Sequence, residues 1–170
     1  MSVHKRIVVK LSPRSIDAAM REVETLRREA ESTRSARLRG IAEAVRDRAE
    51  QYYNAAWVDD IVGGTRRAAE VAVTVEPTPR GYKVVASGAD AVFVEFGAGV
   101  YHNGAVGASP HPKGAELGFT IGSYGKGRGK GRAWGYYGDG GELIITHGTP
   151  AQMPLYRAFR DVIDEVMRRD

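Results

Sequence analysis

Fifteen of the chain's 21 glycines fall between Gly97 and Gly141. Glycine has no side chain to bury and loses the most backbone freedom on folding, so this stretch can supply little core. Within it only "ELGFTIGSY" reads as a possible strand. The residues before and after it must therefore form the fold. At 170 residues the chain has the length of one ordinary domain, and the expectation is a single domain over 1–170 with a Gly-rich loop inserted at about 97–141.

The flanks carry clear periodicity. Ser12 can cap a helix, Pro13 suits its first position, and Ile16, Met20, Val23 and Leu26 recur at spacings of three and four, which predicts a helix over 13–32. After "STRS" the pattern resumes with Leu38, Ile41, Ala42, Val45, Ala49, Tyr52, Ala56 and Trp57, and a second helix is expected to end at Gly63 and Gly64. Val71, Val73 and Val75 alternate with polar residues, "PTPRG" supplies a turn, and a β-rich run resumes at Tyr82. That is a hairpin. "ADAVFVEFGAG" is too short for periodicity to decide, and a strand is favoured over one or two helical turns. The β-rich "ELIITH" precedes a third helix opened by Pro150 or Pro154, with Leu155, Phe159, Val162, Ile163 and Val166 as its apolar face. The predicted class is α+β: two N-terminal helices and a C-terminal helix packed on a small, mainly antiparallel sheet, with a long Gly-rich loop.

Composition narrows the function classes. The chain is 42% apolar and 27% charged, and no run approaches the roughly 18 apolar residues that a membrane span requires. The apolar run Ile7–Val8–Val9 is far shorter than a signal-peptide core, so synthesis and folding in the cytoplasm are expected. With no cysteine, disulfides, thiolate zinc sites and cysteine nucleophiles are excluded. A net charge of +4, spread along the chain, permits a nucleic-acid partner without requiring one.

The tract "SYGKGRGKGRAWGYYGDGG" at 123–141 invites a phosphate-binding or nucleic-acid-binding reading. It lacks both the spacing and the hydroxyl residue of a P-loop, and it fails the dinucleotide pattern with no helix behind it. Lys126, Arg128, Lys130 and Arg132 could meet phosphates while Tyr124, Trp134, Tyr136 and Tyr137 stack on bases, which makes a nucleic-acid-binding module the alternative function. A solvated flexible loop is the simpler account. The histidines His4, His102, His111 and His147 have no spacing that places two ligands on one helix face, so no metal site and no cofactor are expected. Ser109, His111 and Glu95 could fill the nucleophile, base and acid roles of a hydrolase, but no serine sits in a G-x-S-x-G elbow and "SPHP" reads as a proline-stiffened turn. No enzyme activity is expected. Glu95 interrupts the apolar run "AVFVEF"; it reads either as an outward residue on an alternating strand or as a structural or interface carboxylate paired with an arginine.

Two segments together resemble a known family. "ADAVFVEFGAG", then a variable Gly/Pro/His-containing stretch, then "HGTPAQMPLYRAFRDVIDEV" is similar to the tail-completion or head-tail joining (neck) proteins of long-tailed bacteriophages. Their core near "A-x-x-V-E-F-G-T" precedes a variable loop and a proline- and aromatic-rich approach to a final helix. The matching residues are Ala91, Val94, Glu95, Phe96 and Gly97, then Pro154 and Phe159. Ala98 stands where threonine is usual, and the Gly-rich insertion is unusually long. The long N-terminal helices and the hairpin suit the family as well.

The resemblance implies a structural virion protein assembled in the bacterial host cytoplasm. Its subunits would form a ring, expected to hold six copies, between the head connector and the tail terminator or tail tube, around the channel for double-stranded DNA. It brings no catalytic residues and no cofactors. Glu95, Phe96, Gly97, Pro154 and Phe159 would be motif or interface residues. Lys126, Arg128, Lys130, Arg132 and Trp134 would be candidates for contact with channel DNA or with a neighbouring subunit. Contacts to phosphates alone would be sequence-independent and salt-sensitive, as sliding DNA requires.

Overall fold

The computed structural model describes residues 12–60, 64–68, 71–97, 107–117, 120–121, 134–137, 140–146 and 148–169. The fold is α+β. The chain divides into two compact units, residues 1–40 and 41–170.

Helix α1 runs without a break over Pro13–Ala55, where two helices were expected. "STRS" contains neither glycine nor proline, and its Thr33 hydroxyl donates to the Glu29 carbonyl at 2.9 Å, as Thr25 does to Arg21 at 3.0 Å. Satisfied by the carbonyl four residues back, the hydroxyl does not compete with the helix ladder. In the first unit the described helix, up to Gly40, is mostly exposed. In the second unit Ala42, Val45, Ala49 and Tyr53 are buried, at the spacings of three and four that define one face.

The helix also ends earlier than Gly63. Ala56 N–H donates to the Tyr53 carbonyl at 3.0 Å, a tighter three-residue closure, and Trp57 begins strand β1 (Trp57–Asp60), which pairs antiparallel with β2 (Gly64–Arg67). Gln152 fixes the switch. Its side-chain Oε1 accepts the Trp57 N–H at 3.2 Å and its Nε2 donates to the Trp57 carbonyl at 2.6 Å, so a side-chain amide takes the place of a neighbouring peptide. Tertiary bonding overrides the helical periodicity at this point.

The expected hairpin is present as β3 (Ala72–Thr78) and β4 (Gly81–Ser87), paired Val73↔Ala86 and Val75↔Val84. "AVFVEF" is helical: α2 spans Ala91–Phe96, where a strand was favoured. Ala91 N–H bonds the Gly88 carbonyl at 3.2 Å, Val94 N–H the Asp90 carbonyl at 2.9 Å and Gly97 N–H the Phe93 carbonyl at 2.9 Å. Its buried residues Ala91, Val94 and Glu95 lie at i, i+3 and i+4. Further along, β5 (Gly107–Ala108) pairs with β6 (Thr120–Ile121), and β7 (Trp134–Tyr137) with β8 (Leu143–Thr146). Among the described residues the strands thus form four separate two-stranded antiparallel ladders.

Helix α3 covers Pro154–Arg169, with Pro154 and not Pro150 at its first turn. Ala158 and Val162 are buried and Leu155 and Val166 pack beside them, whereas Phe159 is 50% exposed. The inward face is therefore 155, 158, 162 and 166, and the expected place of Phe159 is taken by Ala158. The core of the second unit joins Val45, Ala49, Tyr53 and Ala56 of the α1 end to Val58, Val71, Val73, Ala91, Val94, Ala158 and Val162. Around its edge Tyr52 Oη donates to Asp161 at 2.5 Å and Arg48 to Glu165 at 3.0 Å, while the Arg157 guanidinium lies 4.6 Å from the Tyr52 ring centroid.

Candidate functional site

A cluster of polar groups surrounds Glu95, a carboxylate only 5% exposed. Burying a carboxylate costs several kcal/mol unless donors replace its water. Here the helix that follows supplies them. Oε2 accepts the Leu155 N–H at 2.8 Å and Oε1 the Tyr156 N–H at 2.9 Å. Oε2 also accepts the Tyr53 hydroxyl at 3.0 Å, and His111 Nε2 lies 3.3 Å from Oε1.

The first four N–H groups of a helix have no partner inside it. At α3 the preceding residue is Met153, whose side chain has no oxygen with which to cap. Residues 94 and 95 satisfy the whole set: Met153 N–H reaches the Val94 carbonyl at 3.3 Å, Pro154 has no N–H, and Leu155 and Tyr156 donate to Glu95. A carboxylate at this end also meets the positive pole of the helix dipole. The Val94 carbonyl, close to the C-terminus of α2, accepts the Gln152 N–H at 2.8 Å as well. The free carbonyl of one helix end and the free donors of another are thus matched.

Gly97 makes this approach possible. Its φ of 80° is unfavourable for residues with a Cβ, and a Cβ there would stand 2.9 Å from Ala151 N and 3.2 Å from the Thr149 carbonyl oxygen. Both are backbone atoms with little room to move. Phe96 contributes twice: its ring lies 4.4 Å from the His111 ring between centroids, and its carbonyl accepts the Ser109 hydroxyl.

Ser109, His111 and Glu95 do meet, but not as nucleophile, base and acid. The Ser109 hydroxyl donates to the Phe96 carbonyl and accepts the His111 N–H at 3.2 Å. On the ring, Nδ1 accepts the Lys113 N–H at 3.0 Å, so a neutral imidazole carries its proton on Nε2, the nitrogen facing Glu95. Neither ring nitrogen is placed to take a proton from Ser109, as a nucleophile–base pair requires. The Tyr156 ring closes the other side of His111 edge-on, at 5.3 Å. The cluster holds "SPHP" against α2 and α3, consistent with the turn expected there.

The buried Tyr53 phenol, 4% exposed, is pushed well above its ordinary pKa, first by burial and then by the charge of Glu95 and the hydrogen bond to it. Glu95 is a structural carboxylate, as one of the two readings held, but its partners are a tyrosine, a histidine and two backbone amides where an arginine was expected. Tyr53 and Gln152 were both missed. Tyr52, three residues after Ala49, was expected on the apolar face; Tyr53, four after it, fits the helical spacing equally and is the one buried.

Of the remaining candidates, Pro154 is fully buried at the first turn of α3 and Phe159 points outward. Lys126, Arg128, Lys130 and Arg132 lie outside the described residues, as do His4, His102 and His147. Trp134 opens β7, its backbone opposite Thr146. Among the described residues no group of three or more His, Asp or Glu side chains could hold a metal ion, and no helix is long and apolar enough to cross a membrane. No family model, no curated protein and no solved structure matches the chain.

Proposed function

We propose that the chain is a structural protein of a bacteriophage neck, acting by assembly. Copies form a ring, six in number, between the head connector and the tail terminator or tail tube, around the channel through which double-stranded DNA leaves the head. The observation that carries the reading is the meeting of its two motif segments: "VEFG" and "MPLY", separated by the long insertion, join through Glu95, Val94 and Gly97. Three residues of the resemblance, Val94, Glu95 and Gly97, are then the ones that tie α2 to α3, and the saturated hydrogen bonding of Glu95 suits a scaffold.

On this reading the insertion is the variable part that faces neighbours or the channel. Closed rings use heterologous contacts, in which one surface of a subunit matches a different surface of the next. Lys126, Arg128, Lys130, Arg132 and Trp134 are its candidate contacts to DNA or to a neighbouring subunit, and any grip on DNA is non-specific and weakened by salt.

Electron microscopy of assembled particles carrying a labelled copy of the chain tests the proposal directly. A ring of density at the head-tail junction is expected, and absence of the label from the neck rules the reading out. Tight, sequence-dependent DNA binding that is lost on changing Trp134, Tyr136 and Tyr137 to alanine would instead favour the nucleic-acid-binding module.

A further inference from the structure

The first unit is dominated by one amphipathic helical stretch whose apolar side is exposed. Ile16 is 43%, Met20 66% and Val23 54% exposed, and a groove opens along Ile16, Ala19, Met20 and Val23, edged by Glu24 and Arg27. Helices in proteins owe most of their stability to packing of such a face.

The stripe follows a heptad. Ile16, Val23 and Ala30 fall at a, and Ala19, Leu26 and Thr33 at d. β-branched residues at a with leucine at d favour two parallel strands. The flanking charges agree with that arrangement. Glu22 and Glu29 occupy g, and Arg27 and Arg34 occupy the following e positions. In a parallel, in-register pair each g residue faces the e residue five places on in the other chain, so Glu22 meets Arg27 of the partner subunit and Glu29 meets Arg34 of the partner subunit. An antiparallel pair would set g against g and e against e, with like charges opposed. The Arg27–Glu31 pair within the helix, 2.9 Å long and mostly exposed, is a surface contact of small worth and does not compete strongly.

We infer that residues 13–34 form a parallel, in-register coiled coil with a second copy of this chain. Parallel and in register is also the arrangement that rotational symmetry imposes on copies around an axis along the helix. The inference nevertheless stands apart from the neck proposal, since two copies can pair without any ring.

Sedimentation of the full chain, its charge-reversed forms and their mixture tests it. The native chain is expected at twice its own mass or a multiple of that. The Glu22→Arg/Glu29→Arg variant and the Arg27→Glu/Arg34→Glu variant are each expected to lose that doubling, because both charged g–e pairings become repulsive. Mixing them in equal amounts should restore it, which also shows that both variants were folded. The chain has no cysteine, so an Ala19→Cys variant carries a single thiol, and on oxidation it should cross-link to its own kind in a parallel pair. A native chain of single mass, charge reversals without effect, a mixture that stays dissociated, or no cross-link would each overturn the coil. A higher mass untouched by the charge reversals would do so while leaving a ring intact.

Discussion

Replacing Glu95 by glutamine keeps size and shape but changes one oxygen into a donor. If the remaining oxygen keeps Tyr53 and Leu155, the new NH2 group confronts the Tyr156 N–H and His111 Nε2, both of which point protons at it. His111 cannot easily adapt by moving its proton, because Nδ1 already accepts from Lys113. The opposite orientation sets the amide against the Leu155 N–H, while the Tyr53 hydroxyl can turn and accept from it. Either way at least one backbone N–H loses its acceptor and the contacts that remain drop from charge-assisted to neutral. Hydrogen bonds to charged groups are worth about 1.5–3 kcal/mol each and are not additive, so a loss of about 3 kcal/mol is expected. For a chain of this size that lowers Tm by roughly 6–12 °C. Glu95→Ala, which deprives all four donors of their acceptor, should cost about 3–5 kcal/mol. Thermal unfolding followed by circular dichroism reads both. A Tm within about 2 °C of the native value for Glu95→Gln, under 1 kcal/mol on the same scale, would show that the carboxylate is not the cap described.

Three further perturbations probe the same cluster and the insertion. Tyr53→Phe, which removes a hydrogen bond to a carboxylate, should cost about 1.5–2 kcal/mol at pH 8. Because the native phenol resists ionisation while the unfolded one ionises near pH 10, the native chain loses about 1.4 kcal/mol per pH unit above 10 through this group, and its advantage over the variant should vanish by about pH 11.5; urea titrations giving parallel curves over that range would refute it. Gly97→Ala should destabilise by about 2–3 kcal/mol, because a left-handed backbone and a backbone collision combine. Gly141→Ala, at φ 78° with nothing within 4 Å of its Cβ, should cost only about 1 kcal/mol, so equal losses at the two sites would count against the close approach at Ala151. Removing half of residues 122–133 shortens the loop closed at Gly97 and Ala151 only slightly and should change its closure free energy by well under about 0.6 kcal/mol, the figure for halving a whole loop; a Tm shift corresponding to about 2 kcal/mol or more would assign the tract a part in folding.

The α+β class and the hairpin were legible because period-two and helical patterns are long enough there to speak for themselves. Helix α1 was read as two because serine and threonine resemble caps in a sequence, and only the Thr33 bond to Glu29 shows the hydroxyl serving the helix it was taken to end. α2 has six residues, fewer than two turns, so its period could not be read; what makes it helical is the matching of its end to α3. Glu95 stood out as a charge in an apolar run, yet its partners come from residues 53, 111, 155 and 156, and two of the bonds are to backbone amides that carry no signal in residue type. Gln152 was invisible for a related reason, since its partner is the backbone of Trp57.

A buried carboxylate commonly calls for an arginine, and none bonds Glu95 among the described residues. The helix end explains why. Two N–H groups of α3 and the positive pole behind them act as the counter-charge, fixed in place before the side chain arrives, so no long flexible partner has to be immobilised. With Tyr53 and His111 added, four groups crowd the two oxygens and little capacity is left for a fifth. The same bonds hold Gly97, where the long insertion begins, against Ala151, ten residues beyond its end. A loop closed in this way grows more costly only with the logarithm of its length. The core therefore tolerates a large Gly-rich insertion at this place, because the closure rests on Val94, Glu95 and Gly97 and not on the residues between.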